Sequence, residues 1–180
     1  GSRHVRNMAT LGGNLRLPTR CWYTNQSESW RASRAPCWKT DGALCHVIKT
    51  SETCRAINSS DIAPALVALG ARDEIITAVI VPAARVRTLF VKAAARTGLD
   101  YGYGTLAAAV TGSNKAIRSA RLVAGSVGSW PVTLERAGQI IVERGLNPAA
   151  IEAAGEATRE DLGEVANLFS PPGYKKRLVR

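Results

Sequence analysis

No apolar run in the 180 residues approaches the ~20 that a spanning helix needs, so a transmembrane helix is excluded at the outset. No secretory h-region follows the N-terminus, and nothing predicts export. Histidine is scarce: His4 and His46 are the only two, both in polar surroundings. With no Ser/His/Asp constellation and no paired-carboxylate motif, the expectation is a chain without a catalytic acid, base or nucleophile. No Lys/Arg block marks a nucleic-acid tail. There is no internal repeat and no low-complexity tract, and the last 126 residues contain no cysteine.

What is present is a basic, otherwise ordinary globular composition. Hydrophobic residues make up 46% and charged residues 21%, which argues against wholesale disorder. The net charge is +10, and an excess of that size attracts polyanions or acidic surfaces. It is unevenly spread, at +6 in residues 1–60, +3 in 61–120 and +1 in 121–180.

All four cysteines, Cys21, Cys37, Cys45 and Cys54, fall in one stretch with gaps of 15, 7 and 8 residues. A small disulfide scaffold spreads its cysteines over the domain and belongs to a shorter chain. A structural zinc site usually holds a short C-x2-4-C pair, whose turn sets two thiolates at tetrahedral distance, and none occurs here. Four thiolates on one long irregular loop suit an iron–sulfur cluster. A four-Cys metal site ranks first on spacing, two disulfides second and inert thiols last. His46 adjoins Cys45 as a further donor, against the commoner reading of a solvated loop histidine.

Along the chain, Gly12-Gly13-Asn14 predicts a turn using positive φ. Residues 16–58 show no period of 2 or 3.6 and are too long for an idle loop. Ser59-Ser60-Asp61 predicts an N-cap for a helix through Ile62, Ala65, Leu66 and Leu69 to Gly70. Strands are predicted over 74–81, 86–93, 104–111 and 117–127, the last two joined as a hairpin at Gly112–Lys115. Thr133 is expected to cap a helix ending near Arg144. Asn147-Pro148 starts another with Ala150, Ile151, Ala154 and Ala157 on its apolar face. A basic segment, Tyr174–Arg180, closes the chain after Pro171-Pro172-Gly173. The order predicts an α+β fold, a small antiparallel sheet packed with helices.

The stretch Val5-Arg6-Asn7-Met8-Ala9-Thr10-Leu11-Gly12-Gly13-Asn14-Leu15 resembles the second flavin-binding stretch of the FAD subunits of molybdenum hydroxylases, the xanthine dehydrogenase and carbon monoxide dehydrogenase group. Arg20-Cys21-Trp22-Tyr23, the run from Ser59 to Leu66, Asp73–Thr77, Leu89–Lys92 and Gly173–Val179 fit the same pattern in order. The four-cysteine insertion resembles one branch, the flavin subunit of 4-hydroxybenzoyl-CoA reductase and related aldehyde oxidoreductases. The resemblance implies that Cys21, Cys37, Cys45 and Cys54 ligate a [4Fe–4S] cluster, with Trp22, Trp30 and Trp38 as candidates to shield it. It implies FAD contacts from Thr10, Gly12, Gly13, Asn14, Ser60, Asp61, Lys92 and Asp100. For Asp61 helix capping is the competing role, and for Lys92 and Asp100 a solvated strand end.

The implied organisation is a partial FAD-binding subdomain over residues 1–82, with the cluster loop at 16–58, and a C-terminal α+β domain over 83–180 of the CO dehydrogenase flavoprotein C-terminal type. Against the family pattern, the N-terminal FAD subdomain with its glycine-rich phosphate loop is missing, as are a strand and loop between Gly70 and Asp73. Half a flavin site is therefore expected, binding FAD weakly or not at all, and no activity of the isolated chain. The implied role is electron transfer in an oxidoreductase complex, between FAD and iron–sulfur centres. The implied partners are a molybdenum-cofactor large subunit and a [2Fe–2S] small subunit, with neither membrane nor nucleic acid. A cytoplasmic location is expected, with a periplasmic complex as the alternative. Two other functions stand beside this one: a zinc-bearing basic module for nucleic acid or protein, and a cofactor-free structural remnant.

Overall fold

The computed structural model describes residues 2–70, 86–96, 100–113, 116–163 and 173–180. The predicted strand over 74–81 lies outside them.

Four antiparallel strands form one sheet in the order β1 (Val86–Ala93), β2 (Gly104–Ser113), β3 (Ala116–Gly125), β4 (Val132–Thr133). The sheet is covered on both faces because its side chains alternate. Ala107, Ala109 and Val123 point to one face and pack against Ala65, Val67 and Ala68 of α4 (Ile62–Leu69). Leu106, Val110, Leu122 and Ala124 point to the other, against Leu134, Ala137 and Ile141 at and along α5 (Glu135–Arg144) and Ala150 and Ala154 of α6 (Pro148–Asp161). Small residues in the middle of β2 let helices approach from both sides. The predicted hairpin forms with a register shift at Thr111/Gly112, where Gly112 takes φ 106°. The result is the predicted α+β class, a small antiparallel sheet packed with helices.

Several local expectations change. Gly12 and Gly13 lie in a short helix, α2 (Leu11–Leu15), not in a positive-φ turn. The cause is Thr10, whose hydroxyl accepts from the Gly13 N–H at 3.0 Å and starts a helical turn. Thr133 does not cap α5, because it pairs with Val123 as part of β4. The Asp161 carboxylate at the end of α6 instead receives the Arg136 and Ala137 N–H groups at 3.4 and 3.5 Å, favourable for a negative charge at a helix N-terminus. Asn147 caps α6 as predicted, accepting from Ala150 N at 2.9 Å. Its buried face is Ala150, Ala154, Gly155 and Thr158, while Ile151 is exposed. The remaining elements are α1 (Arg3–Met8), α3 (Glu28–Ala32) and α7 (Tyr174–Val179).

Gly138, in the middle of α5, faces the β3 backbone. A Cβ there would stand 2.7 Å from the Ala120 carbonyl oxygen, so helix and sheet touch main chain to main chain. Gly138→Ala is expected to cost about 1–3 kcal/mol through overpacking, despite alanine's better helix propensity. Denaturant unfolding measures it, and an unchanged midpoint would show α5 free to lift off the sheet.

Candidate functional site: a four-cysteine cavity beside a polar network

The cysteine loop is ordered by hydrogen bonds rather than regular structure. Its ends meet in an antiparallel bridge, with Arg20 N–H donating to the Ile57 carbonyl at 2.7 Å and Ile57 N–H to the Arg20 carbonyl at 2.8 Å. The bridge brings Cys21 and Cys54 to the same place. Within the loop, Ser27 caps α3, and a tight turn at Trp38–Thr40 follows Cys37. All four cysteines are free, and all four line one cavity. Three sulfurs already accept hydrogen bonds: Cys45 Sγ from Ile48 N–H (3.5 Å), Cys54 Sγ from Ala56 N–H (3.4 Å) and Cys37 Sγ from the Thr40 hydroxyl (3.6 Å).

The cavity is about 10 Å³, room for roughly one water. No group of three or more His, Cys, Asp or Glu among the described residues is set at the spacing of a ready metal site. The donor set is right for a cluster in number and softness, and the loop has to open outward to take one. His46 also borders the cavity, but its Nε2 donates to the Ala35 carbonyl at 2.9 Å and its ring stacks on Tyr23. Trp38 lines the cavity too, with Nε1 donating to the Ser51 carbonyl. Trp22 and Trp30 pack edge to face at 5.1 Å between ring centroids.

The loop is pinned to the sheet from one side. The Ser129 hydroxyl, in the β3–β4 connection, sits 3.0 Å from the Cys54 carbonyl and 2.7 Å from the Ala56 carbonyl. Asn58 N–H donates to the Gly128 carbonyl at 2.8 Å.

The predicted flavin residues mostly gather in one network. Asn14 Oδ1 accepts from the Ser60 hydroxyl (2.8 Å) and from Ile62 N–H (3.2 Å). Ser60 Oγ accepts in turn from Ala63 N–H at 2.9 Å, so Ser60 rather than Asp61 caps α4. Asp61 is held by Lys92 at 2.8 Å through Oδ2, while its Oδ1 is buried and without a partner. Beside Gly12 there is open space, whereas beside Gly13 the Thr10 hydroxyl occupies the room. Asn14 and Ser60 thus spend their oxygens on the fold. Asp61 Oδ1 has no hydrogen-bond partner among the described residues.

Asp100 stands apart from that network, capping Tyr101 N–H and pairing with Arg96 at 3.4 Å. It lines a second cavity of about 440 Å³ with Arg20, Cys21, Arg55, Tyr101 and Lys175. Lys175 is 2% exposed, and its ammonium donates to the Ser126 carbonyl. Burial pushes its pKa down from 10.5 to about 8. In the sequence, Lys175 sits in a basic run that reads as a solvated helix end. The available signal is its place four residues before Val179, which shares its helix face and is buried.

Below pH 8 the penalty for burying the Lys175 charge is fully present, and above pH 10.5 it is gone. Between those values the unfolded chain binds more protons, so stability rises with pH. Relative to Lys175→Met, the wild type is expected to gain on the order of 1–3 kcal/mol between pH 7 and 10.5. Paired denaturant titrations across that range read it directly, and parallel curves would mean that Lys175 titrates as in water.

A family model of the CO dehydrogenase flavoprotein C-terminal domain matches residues 90–180, half of the chain. The chain belongs to that flavoprotein family. A second model, the FAD-binding domain in molybdopterin dehydrogenase, matches residues 1–79. Among solved structures, this flavoprotein chain is similar to quinoline 2-oxidoreductase from Pseudomonas putida 86, at 21% identity and a TM-score of 0.49 over 55% of this chain and 34% of that one. It is similar at the same level to two carbon monoxide dehydrogenases. For that of Hydrogenophaga pseudoflava the figures are 20% and 0.48, over 54% of this chain and 33% of that one. For that of Oligotropha carboxidovorans they are 22% and 0.48, over 55% and 34%. The chain spans about a third of the length of these solved chains.

Proposed function

We propose that this chain is the electron-transfer part of a molybdenum-containing oxidoreductase of the 4-hydroxybenzoyl-CoA reductase or aldehyde/xanthine dehydrogenase type. It would hold a [4Fe–4S] cluster on Cys21, Cys37, Cys45 and Cys54 and form part of an FAD site. The observation that carries the reading is the convergence of four free cysteines, the only four in the chain, on one cavity. The FAD-binding family match over residues 1–79 supports the flavin side.

When bound, the cluster supplies one-electron transfer, and FAD joins one-electron to two-electron chemistry. The chain's own residues hold and tune. Ile48 N–H, Ala56 N–H and the Thr40 hydroxyl stabilise negative charge on their sulfurs, which favours the reduced state of any centre bound there. Asp61, oriented by Lys92 through Oδ2, would offer Oδ1 to a ribose hydroxyl. Thr10 shapes the turn that leaves Gly12 open to a close approach, and Asn14 fixes that turn to the start of α4. Lys92 neutralises charge at the same place. Asp100, expected near the flavin, makes a local cap and an ion pair and lines the neighbouring cavity.

A four-thiolate cluster carries about −2 and the FAD pyrophosphate about −2, which would take the chain from +10 to roughly +6. The positive excess near the cysteines is then compensation for bound anions and a surface for the large and small subunits. No helix among the described residues is long and apolar enough to cross a membrane. A reducing compartment such as the cytoplasm suits unpaired thiols.

An anaerobic preparation with iron, sulfide, zinc and flavin measured together tests the reading. About four irons and matching sulfide per chain are expected. One zinc per chain would favour the binding module, and no metal the structural remnant. Cys45→Ser, which replaces the most buried of the four, is expected to remove most of the iron while far-ultraviolet circular dichroism stays unchanged.

A further inference from the structure

We propose that the cavity between the cysteine loop and the start of β2 is a binding site for an organic anion, a carboxylate on an apolar ring-sized body, seated on Lys175. Its volume of about 440 Å³ lies in the range of small-molecule pockets. Trp22, Val47, Ile57, Tyr101 and Tyr103 give it apolar and aromatic walls. Its charged lining is lopsided. Arg20, Arg55 and Lys175 face a single carboxylate, Asp100, which Arg96 and the Tyr101 N–H already engage.

Lys175 is the centre of the argument. An ammonium has three protons to donate, and among the described residues only the Ser126 carbonyl takes one. No carboxylate of the described residues pairs with Lys175, although it is 2% exposed, and a buried charge without a counter-charge is costly. An anion in the cavity it lines supplies both the missing charge and the missing acceptors. Ser126 Oγ adds a buried hydroxyl without a partner, 3.4 Å from where a Cβ on Gly102 would stand, and Gly102 lines the same cavity. At the mouth, Arg20 lies flat on Tyr101, 4.1 Å from the ring centre, and Arg55 is held through Nε by the Ser51 hydroxyl at 2.7 Å. Both guanidinium groups are exposed and make no ion pair among the described residues. The walls favour an anion with an apolar body over a bare inorganic one. Of the residues that the resemblance assigns to FAD, Asp100 lines this cavity and Thr10, Gly12, Gly13, Asn14, Ser60, Asp61 and Lys92 do not, so the proposal does not rest on the Asp61–Lys92 network.

The test is a fluorescence titration of the full chain with 2-naphthoate, with 2-naphthamide as the uncharged match. Saturable one-to-one binding of the naphthoate is expected, at least tenfold tighter than the amide, falling at least tenfold in Lys175→Met. If Lys175→Met does not fold, the double variant Arg20→Gln/Arg55→Gln, altered at exposed side chains, is expected to weaken binding severalfold. Equal binding of acid and amide overturns the proposal, as does naphthoate binding unaffected by either variant. Competition by inorganic phosphate at equal concentration overturns the apolar-body class. Competitive displacement by FAD overturns a site separate from the flavin's. Loss of iron or flavin loading with naphthoate binding intact would count against the proposed function alone.

Discussion

Two backbone hydrogen bonds between Arg20 and Ile57 set the geometry on which the candidate site depends. The segment they close carries every cysteine in the chain and has almost no apolar core of its own; Cys45, Ile48 and Ala56 are its buried apolar residues. Without that bridge, the first and last cysteines sit on separate strands of a floppy loop, and loop-closure entropy opposes their meeting. With it, Cys21 and Cys54 are fixed neighbours. Cys37 and Cys45 then need only local turns, supplied by the Trp38–Thr40 turn and the Ile48 N–H bond to sulfur, to reach the same cavity.

The second organising feature is the way the loop's exit strand serves two neighbours at once. From Cys54 to Ser60 the chain passes the cysteine cavity, the β3–β4 connection and the start of α4 in succession. Ser129 and Gly128 hold its carbonyl side and its Asn58 N–H, while Asn14 collects Ser60 and Ile62. Main chain and a few short hydrogen bonds thus connect the cysteines with Asp61.

The sequence made the regular elements legible where one physical signal was undivided. Helix α4 announced itself through Ser60, four apolar residues and Gly70, and the β2–β3 hairpin through the glycine turn at its tip. It misled where two partners competed for one residue. Gly12-Gly13 reads as a turn until Thr10 is seen to cap it. Thr133 reads as a cap until β3 claims it for the sheet. Ile151 reads as core, but the close contact of α6 is reserved for alanine and glycine. At the candidate site, the cysteines, Asp61 and Lys92 could be named from sequence, but not the pairing of Asp61 with Lys92. Lys175, Ser129 and Arg20 could not, because their roles come from contacts with residues far away in the chain and no local pattern records these.

The Ser129 pin also decides where the shape of the cysteine loop comes from. Its hydroxyl reaches the Cys54 and Ala56 carbonyls across 75 and 73 residues, from the connection between β3 and β4. The cavity that the four cysteines line is therefore anchored by the distant sheet, and its form belongs to the folded whole rather than to the segment that carries the thiols.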